Sequence, residues 1–148
     1  MSSPVARTSR AIERVQPQRD KLREAHHALI AASDTTKEAA VLADAIVLLR
    51  AAFTVHVDFA EGPGGLFEEL LDDSPTEAAQ EVDRLKRDHE VIVSIMDRVE
   101  GLQAEGVSLN DERLSEAVSE LVRLLTRHRR HGAEVLYNVY GVDIGSGD

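Results

Sequence analysis

An all-α fold is what this sequence predicts, an antiparallel up-down four-helix bundle with a short extra helical segment between its second and third long helices. Three observations lead there. Aromatic residues are 3% of the chain and Ala, Leu, Val and Glu dominate, a mix that favours helices over strands. Apolar residues recur every three or four positions over four long stretches. Short runs rich in Gly, Pro, Ser and Asp separate those stretches, and four helices with short links form an antiparallel bundle most simply. At 148 residues the chain suits one domain with one sizeable core.

The elements follow in order. Residues 1–9 read as a flexible arm, and residues 10–141 as the bundle. The first long helix runs through "PQRDKLREAHHALIAAS", with Pro17 at a favoured first position, and Arg10 to Gln16 can add a turn or two before it. "SDTTKE" is a break in which Thr35 and Glu38 have capping-box spacing. The second helix covers roughly Thr36 to Ala60 and stops at Gly62-Pro63-Gly64-Gly65. The segment "LFEELL" leads to the turn "DDSP". The third long helix begins near Pro75 and continues to about Gln103. "EGVSLND" turns the chain, Asn110 or Asp111 caps the fourth long helix, and Gly141 stops it after Tyr140. Residues 142–148 are a tail.

Composition removes several function classes. There is no cysteine, so disulfides, thiolate catalysis and thiolate metal sites are excluded. The net charge of −10 argues against nucleic acid, which needs a basic face. No apolar run is read as approaching the roughly 20 residues that span a membrane, and "MSSPVARTSR" lacks the apolar segment of a secretion signal. A cytoplasmic protein is the expectation. No nucleophile–base pair, phosphate-binding loop or pair of catalytic acids is evident.

The chemistry lies in the histidines. The second helix has the buried stripe Leu42, Ile46, Leu49, Phe53, His56, Ala60. The third has Val82, Leu85, His89, Ile92, Met96, Val99, and the fourth Leu114, Val118, Leu121, Leu125, His128, Gly132, Val135. On the first helix Leu22, His26, Leu29 and Ser33 keep the same spacing. Each stripe thus holds one histidine. In antiparallel neighbours, residues at one height are symmetric about the connecting turn. His56 and His89 centre on Asp72 and Asp73, and His89 and His128 on Ser108 and Leu109, both inside turns. His26 and His56 centre on Val41, inside a helix, so either the first helix extends past Ser33 or His26 is off the common level. Three uncharged imidazoles at one level of an apolar core need partners, and a metal ion satisfies them together. His27 and His131 flank the stripes, with His27 the substitute for His26.

From about Leu22 to Tyr140 the chain resembles the hemerythrin-like, or HHE cation-binding, family. The resemblance rests on His26 in "REAHHAL", His56 in "TVHVDFAEGPGGLF", His89 in "KRDHEVI" and His128 in "RHRRHGAEVLY", with the apolar pairs Leu66-Phe67 and Leu136-Tyr137 after two of them. It implies a non-haem iron site, di-iron in that family, and a small exogenous ligand such as dioxygen, nitric oxide or peroxide. The family's bridging carboxylates fall four residues after the second and fourth histidines, where this chain has Ala60 and Gly132. The nearest acids are Glu61 and Glu134, and these complete the expected ligand set of His26, His56, Glu61, His89, His128 and Glu134. A residue five positions on lies about 140° around the helix rather than about 40°, so Glu61 needs the unwinding of the helix end at Gly62-Pro63 to turn inward. The alternatives are a bundle that binds haem or another cofactor, and a metal-free regulatory bundle.

Overall fold

The computed structural model describes residues 4–34 and 38–141, with side chains from residue 13 onward. Its helices are α1 (Pro4–Ala32), α2 (Ala39–Glu61), α3 (Leu66–Asp73), α4 (Pro75–Ala104) and α5 (Glu112–Tyr140), and the described residues contain no strand. The chain is all-α. α1 packs on α2 and α4 on α5, α2 also meets α4, α1 meets α5, and α3 bridges α2 and α4.

The ends of α3, α4 and α5 fall close to where the turn residues place them. Pro75 opens α4. The Asp111 side chain accepts a hydrogen bond from the Arg113 N–H at 2.9 Å and caps α5, and Gly141, at φ 70°, ends it. The first helix differs. It begins at Pro4 and covers most of the stretch expected to be an arm, so Pro17 lies inside it rather than at its start. Pro17 is exposed, so the ring and the carbonyl it leaves without an N–H partner face water. Glu38 precedes α2 without a side-chain capping bond, and Thr35, its capping-box partner by spacing, lies outside the described residues.

The expected apolar stripes are the buried ones. One cluster joins Leu22, Leu29, Ile46, Leu49, Phe53, Ile92, Met96, Leu121 and Leu125, and a second joins Val15, Ala60, Phe67, Leu70, Val82, Leu85, Val135 and Leu136. The histidines lie between them. Phe53 of the first cluster has its ring centroid 5.7, 5.6 and 6.3 Å from those of His56, His89 and His128, and Phe67 of the second stacks on His89 at 5.7 Å.

The Gly-Pro-Gly-Gly turn sets the angle at which α2 hands over to α3. Gly64 has φ 70°, and a Cβ at Gly65 would lie 2.3 Å from the Phe59 carbonyl oxygen, so both positions require glycine. Arg14 of α1 pins this turn by donating to the Gly64 carbonyl at 2.6 Å and pairing with Glu69. Against the expectation from sequence, the stretch Ala39–Asp73, which holds α2 and α3, is long and apolar enough to cross a membrane by length and composition, with a mean hydropathy of 1.8 in its most apolar window. One face of α2 is in the core, while Val47, Leu48 and Val55 are exposed on the other.

Candidate metal centre

Three of the expected residues converge. His56 from α2, His89 from α4 and His128 from α5 turn their Nε2 atoms toward one point, with His56 Nε2 and His89 Nε2 each 3.2 Å from His128 Nε2. All three ligand atoms lie within 4.8 Å of one another. Metal–nitrogen bonds of about 2.0–2.1 Å at angles between octahedral and tetrahedral place neighbouring ligand atoms roughly 2.9–3.4 Å apart. Two of the three edges already have that length.

The outer nitrogens decide what the inner ones offer. His89 Nδ1–H donates to Glu61 Oε2 at 2.6 Å, and His128 Nδ1–H donates to Asp88 Oδ2 at 3.0 Å. An ionised carboxylate only accepts, so it holds the proton on Nδ1 and leaves Nε2 as a bare lone pair. Burial opposes ionisation of Asp88, but the hydrogen bond from His128 and the nearby positive charge hold its carboxyl below the usual range. His89 and His128 therefore face each other with two lone pairs and no proton between them. His56 Nδ1 is buried without a hydrogen-bond partner.

Protonation does not relieve this arrangement at neutral pH. Burial, then the charges of His128, His89 and Arg19, drive His56 well below its ordinary value. Burial and His128 bring His89 down to about 4 against the opposing pull of Glu61. His128 is lowered mainly by burial, against the hydrogen bond to Asp88. The result is three neutral imidazoles between two apolar clusters, with an excess of lone pairs on their inner side.

The remaining expected ligands lie elsewhere. Glu61 reaches the site at the outer nitrogen of His89, away from the Nε2 atoms, because α2 ends there and its last side chain swings toward α4. Glu134 is exposed on α5: six residues past His128 it points away from the core. His26 is buried but apart from the trio. Its Nδ1 accepts from Arg129 Nη1 at 2.8 Å and its Nε2 is 3.4 Å from Thr126 Oγ1. Burial first, then the Arg129 charge, bring it down to about 4. The level test explains this placement, since α1 stops at Ala32 and the residues of α1 beside the trio are Val15, Arg19 and Leu22. His27 is exposed.

Three participants were missed in the sequence. Asp88 precedes His89 on α4 and faces α5, and it carries no signal until those two helices are known to be neighbours. It also lies 3.7 Å from His131 Nδ1, whose Nε2 contacts Glu81 Oε2 at 2.7 Å. Arg19 and Arg129 line a cavity of about 30 Å³ together with the three histidines, Ala60, Gly132 and an otherwise apolar wall. A buried Arg129 and a half-buried Arg19 on apolar stripes break the pattern that was being read, so periodicity passed over them.

The donor set consists of three imidazole nitrogens, with no carboxylate oxygen in the group among the described residues. It fits a single ion and lacks the bridging carboxylates of a di-iron pair. No family model, curated protein or solved structure matches this chain.

Proposed function

We propose that this chain is a metal-binding protein in which His56, His89 and His128 hold one first-row transition ion and leave an open side toward a small ligand. The observation that carries the reading is the 3.2 Å approach of His89 Nε2 and His128 Nε2 with both Nδ1 protons committed to carboxylates. A cation placed among the three nitrogens converts that repulsion into coordination. Neutral imidazoles suit iron, zinc and copper, and the resemblance to hemerythrin-like proteins selects iron. In this reading the four long helices form that family's antiparallel up-down bundle, and the ion is single because Ala60 and Gly132 stand where bridging acids would reach a second one.

The cavity over the histidines sets the size of the ligand. About 30 Å³ accommodates two or three water-sized atoms, as for dioxygen, nitric oxide or peroxide. It leaves no room for a porphyrin, which counts against the haem alternative.

Metal analysis tests the proposal. Protein unfolded, stripped with chelator, refolded, loaded with ferrous ion without oxygen and desalted should retain about one ion per chain. His56→Ala, His89→Ala and His128→Ala should each abolish retention, while His26→Ala keeps it. Retention at the wild-type level in all three variants, or none in the folded wild type, sinks the proposal.

A further inference from the structure

Of the elements that wall the histidine cavity, α3 is the one free to move without dismantling the bundle. It has eight residues and gives the cavity Leu66, Phe67 and Leu70. The four long helices also wall the cavity, but each runs on into the larger apolar cluster, whereas α3 contributes only to the smaller one. Breaks in helical structure flank it, Gly62-Pro63-Gly64-Gly65 before it and Ser74, at φ −146° and ψ 67°, after it. Behind it His89 and His128 are only 2% and 3% exposed, and Phe67 stacks on the His89 ring. Its outer side is fastened by Arg14 of α1, which donates to the Gly64 carbonyl at 2.6 Å and pairs with Glu69. The same guanidinium lies 5.6 Å from the centre of the Phe59 ring. The Arg14 and Glu69 side chains are 39% and 33% exposed, so this fastening sits in water, where ion pairs are weak.

We propose that α3 is a lid over the histidines, latched by Arg14, and that the ion enters and leaves along the seam between α3 and α1 when the lid lifts. The proposal rests on the proposed metal site and adds how that site is reached. Lifting exposes the three apolar side chains of α3, so the open form is rare, on the order of one molecule in ten thousand or fewer. Exchange at the site is then governed by that population as well as by the metal–nitrogen bonds. Arg14 bridges α1 to the lid in the closed form, so removing it raises the open population. It makes no contact with the three histidines, so entry and release quicken by one common factor and the affinity is unchanged. That signature separates a latch from a residue that shapes the site.

Cobalt(II) serves as the probe ion, because its visible bands follow it into and out of the site. Transfer from loaded protein to excess EDTA measures release, and stopped-flow mixing with stripped protein measures entry. Arg14→Gln should quicken both by roughly threefold to thirtyfold with the dissociation constant unchanged. Glu69→Gln should act in the same direction, and the double variant should gain less than the product of the two. Arg50→Gln, which breaks the ion pairs of α2 with Asp97 and Glu100, is the control for general loosening and should leave both rates alone. Metal-free protein gives an independent reading. Diethyl pyrocarbonate attacks neutral imidazoles, and Arg14→Gln should quicken its reaction with His89 and His128 by a similar factor, while exposed His27 reacts at the wild-type rate. Unchanged rates in Arg14→Gln by both methods, or equal quickening in Arg50→Gln, overturn the lid while the metal site stands. Faster release with slower or unchanged entry assigns Arg14 to shaping the site and overturns it too. If cobalt gives no bands in wild type, the metal reading fails by itself, and the modification rates alone decide the lid.

Discussion

His89 Nε2 and His128 Nε2 stand 3.2 Å apart while the opposite nitrogens of the two rings donate to Glu61 and Asp88. The carboxylates thus act on the site without touching its centre. They set the tautomers, fix the ring planes and raise the basicity of the inward nitrogens.

The first prediction concerns these two acids. Asp88→Asn and Glu61→Gln should each weaken ferrous or cobalt(II) affinity by about tenfold to a hundredfold in competition with a chelator, since an amide does not enforce the Nδ1–H tautomer. Glu134→Gln, on the exposed face of α5, should change nothing. Equal losses from all three would place the carboxylates in a general electrostatic role.

Acid should destabilise the metal-free protein through His26. Its folded-state pKa is about 4 against an ordinary 6.5, so the unfolded chain binds more protons between those values. The stability this neutral histidine contributes is fully present above pH 6.5 and is lost progressively as pH falls toward 4. The loss is of order a few kcal/mol. Urea unfolding of stripped protein across pH 4.5–8 measures it, and His26→Gln should flatten the dependence, leaving a residual slope from the trio. A His26→Gln profile identical to wild type would show that burial and Arg129 do not hold this ring neutral.

Phe53 is 1% exposed and packs against all three histidine rings. Phe53→Ala should cost roughly 3–5 kcal/mol in urea unfolding of the metal-free protein. It should also lower metal affinity, because the rings lose the surface that aligns them. Phe53→Leu should recover most of the stability and less of the affinity. Identical affinity in all three proteins would mean that the carboxylates alone orient the rings.

The cap of α5 offers a control remote from the site. Asp111→Ala removes the acceptor for the Arg113 N–H and should cost about 1 kcal/mol with metal affinity unchanged. A change in affinity would show that fraying at the start of α5 propagates to His128.

The residue pattern by itself determined the helical fold, the ends of α3, α4 and α5, and which residues face inward. It also placed His56, His89 and His128 on buried stripes, symmetric about the turns at Asp72-Asp73 and Ser108-Leu109. These properties are local: a helix advances about 100° per residue, so periodicity names a face and turn residues name an end. Only the tertiary structure decided who meets whom. The length of α1 put Val15, Arg19 and Leu22, rather than His26, beside the trio. The packing of α4 on α5 gave His128 its partner Asp88, and the last turn of α2 sent Glu61 to the outer nitrogen of His89. Arg19 filled the space at Gly132, an absence that spacing had marked as the place of a missing ligand. Register between helices and the aim of long polar side chains depend on contacts far apart in the chain. A periodicity that repeats within each helix holds no record of them.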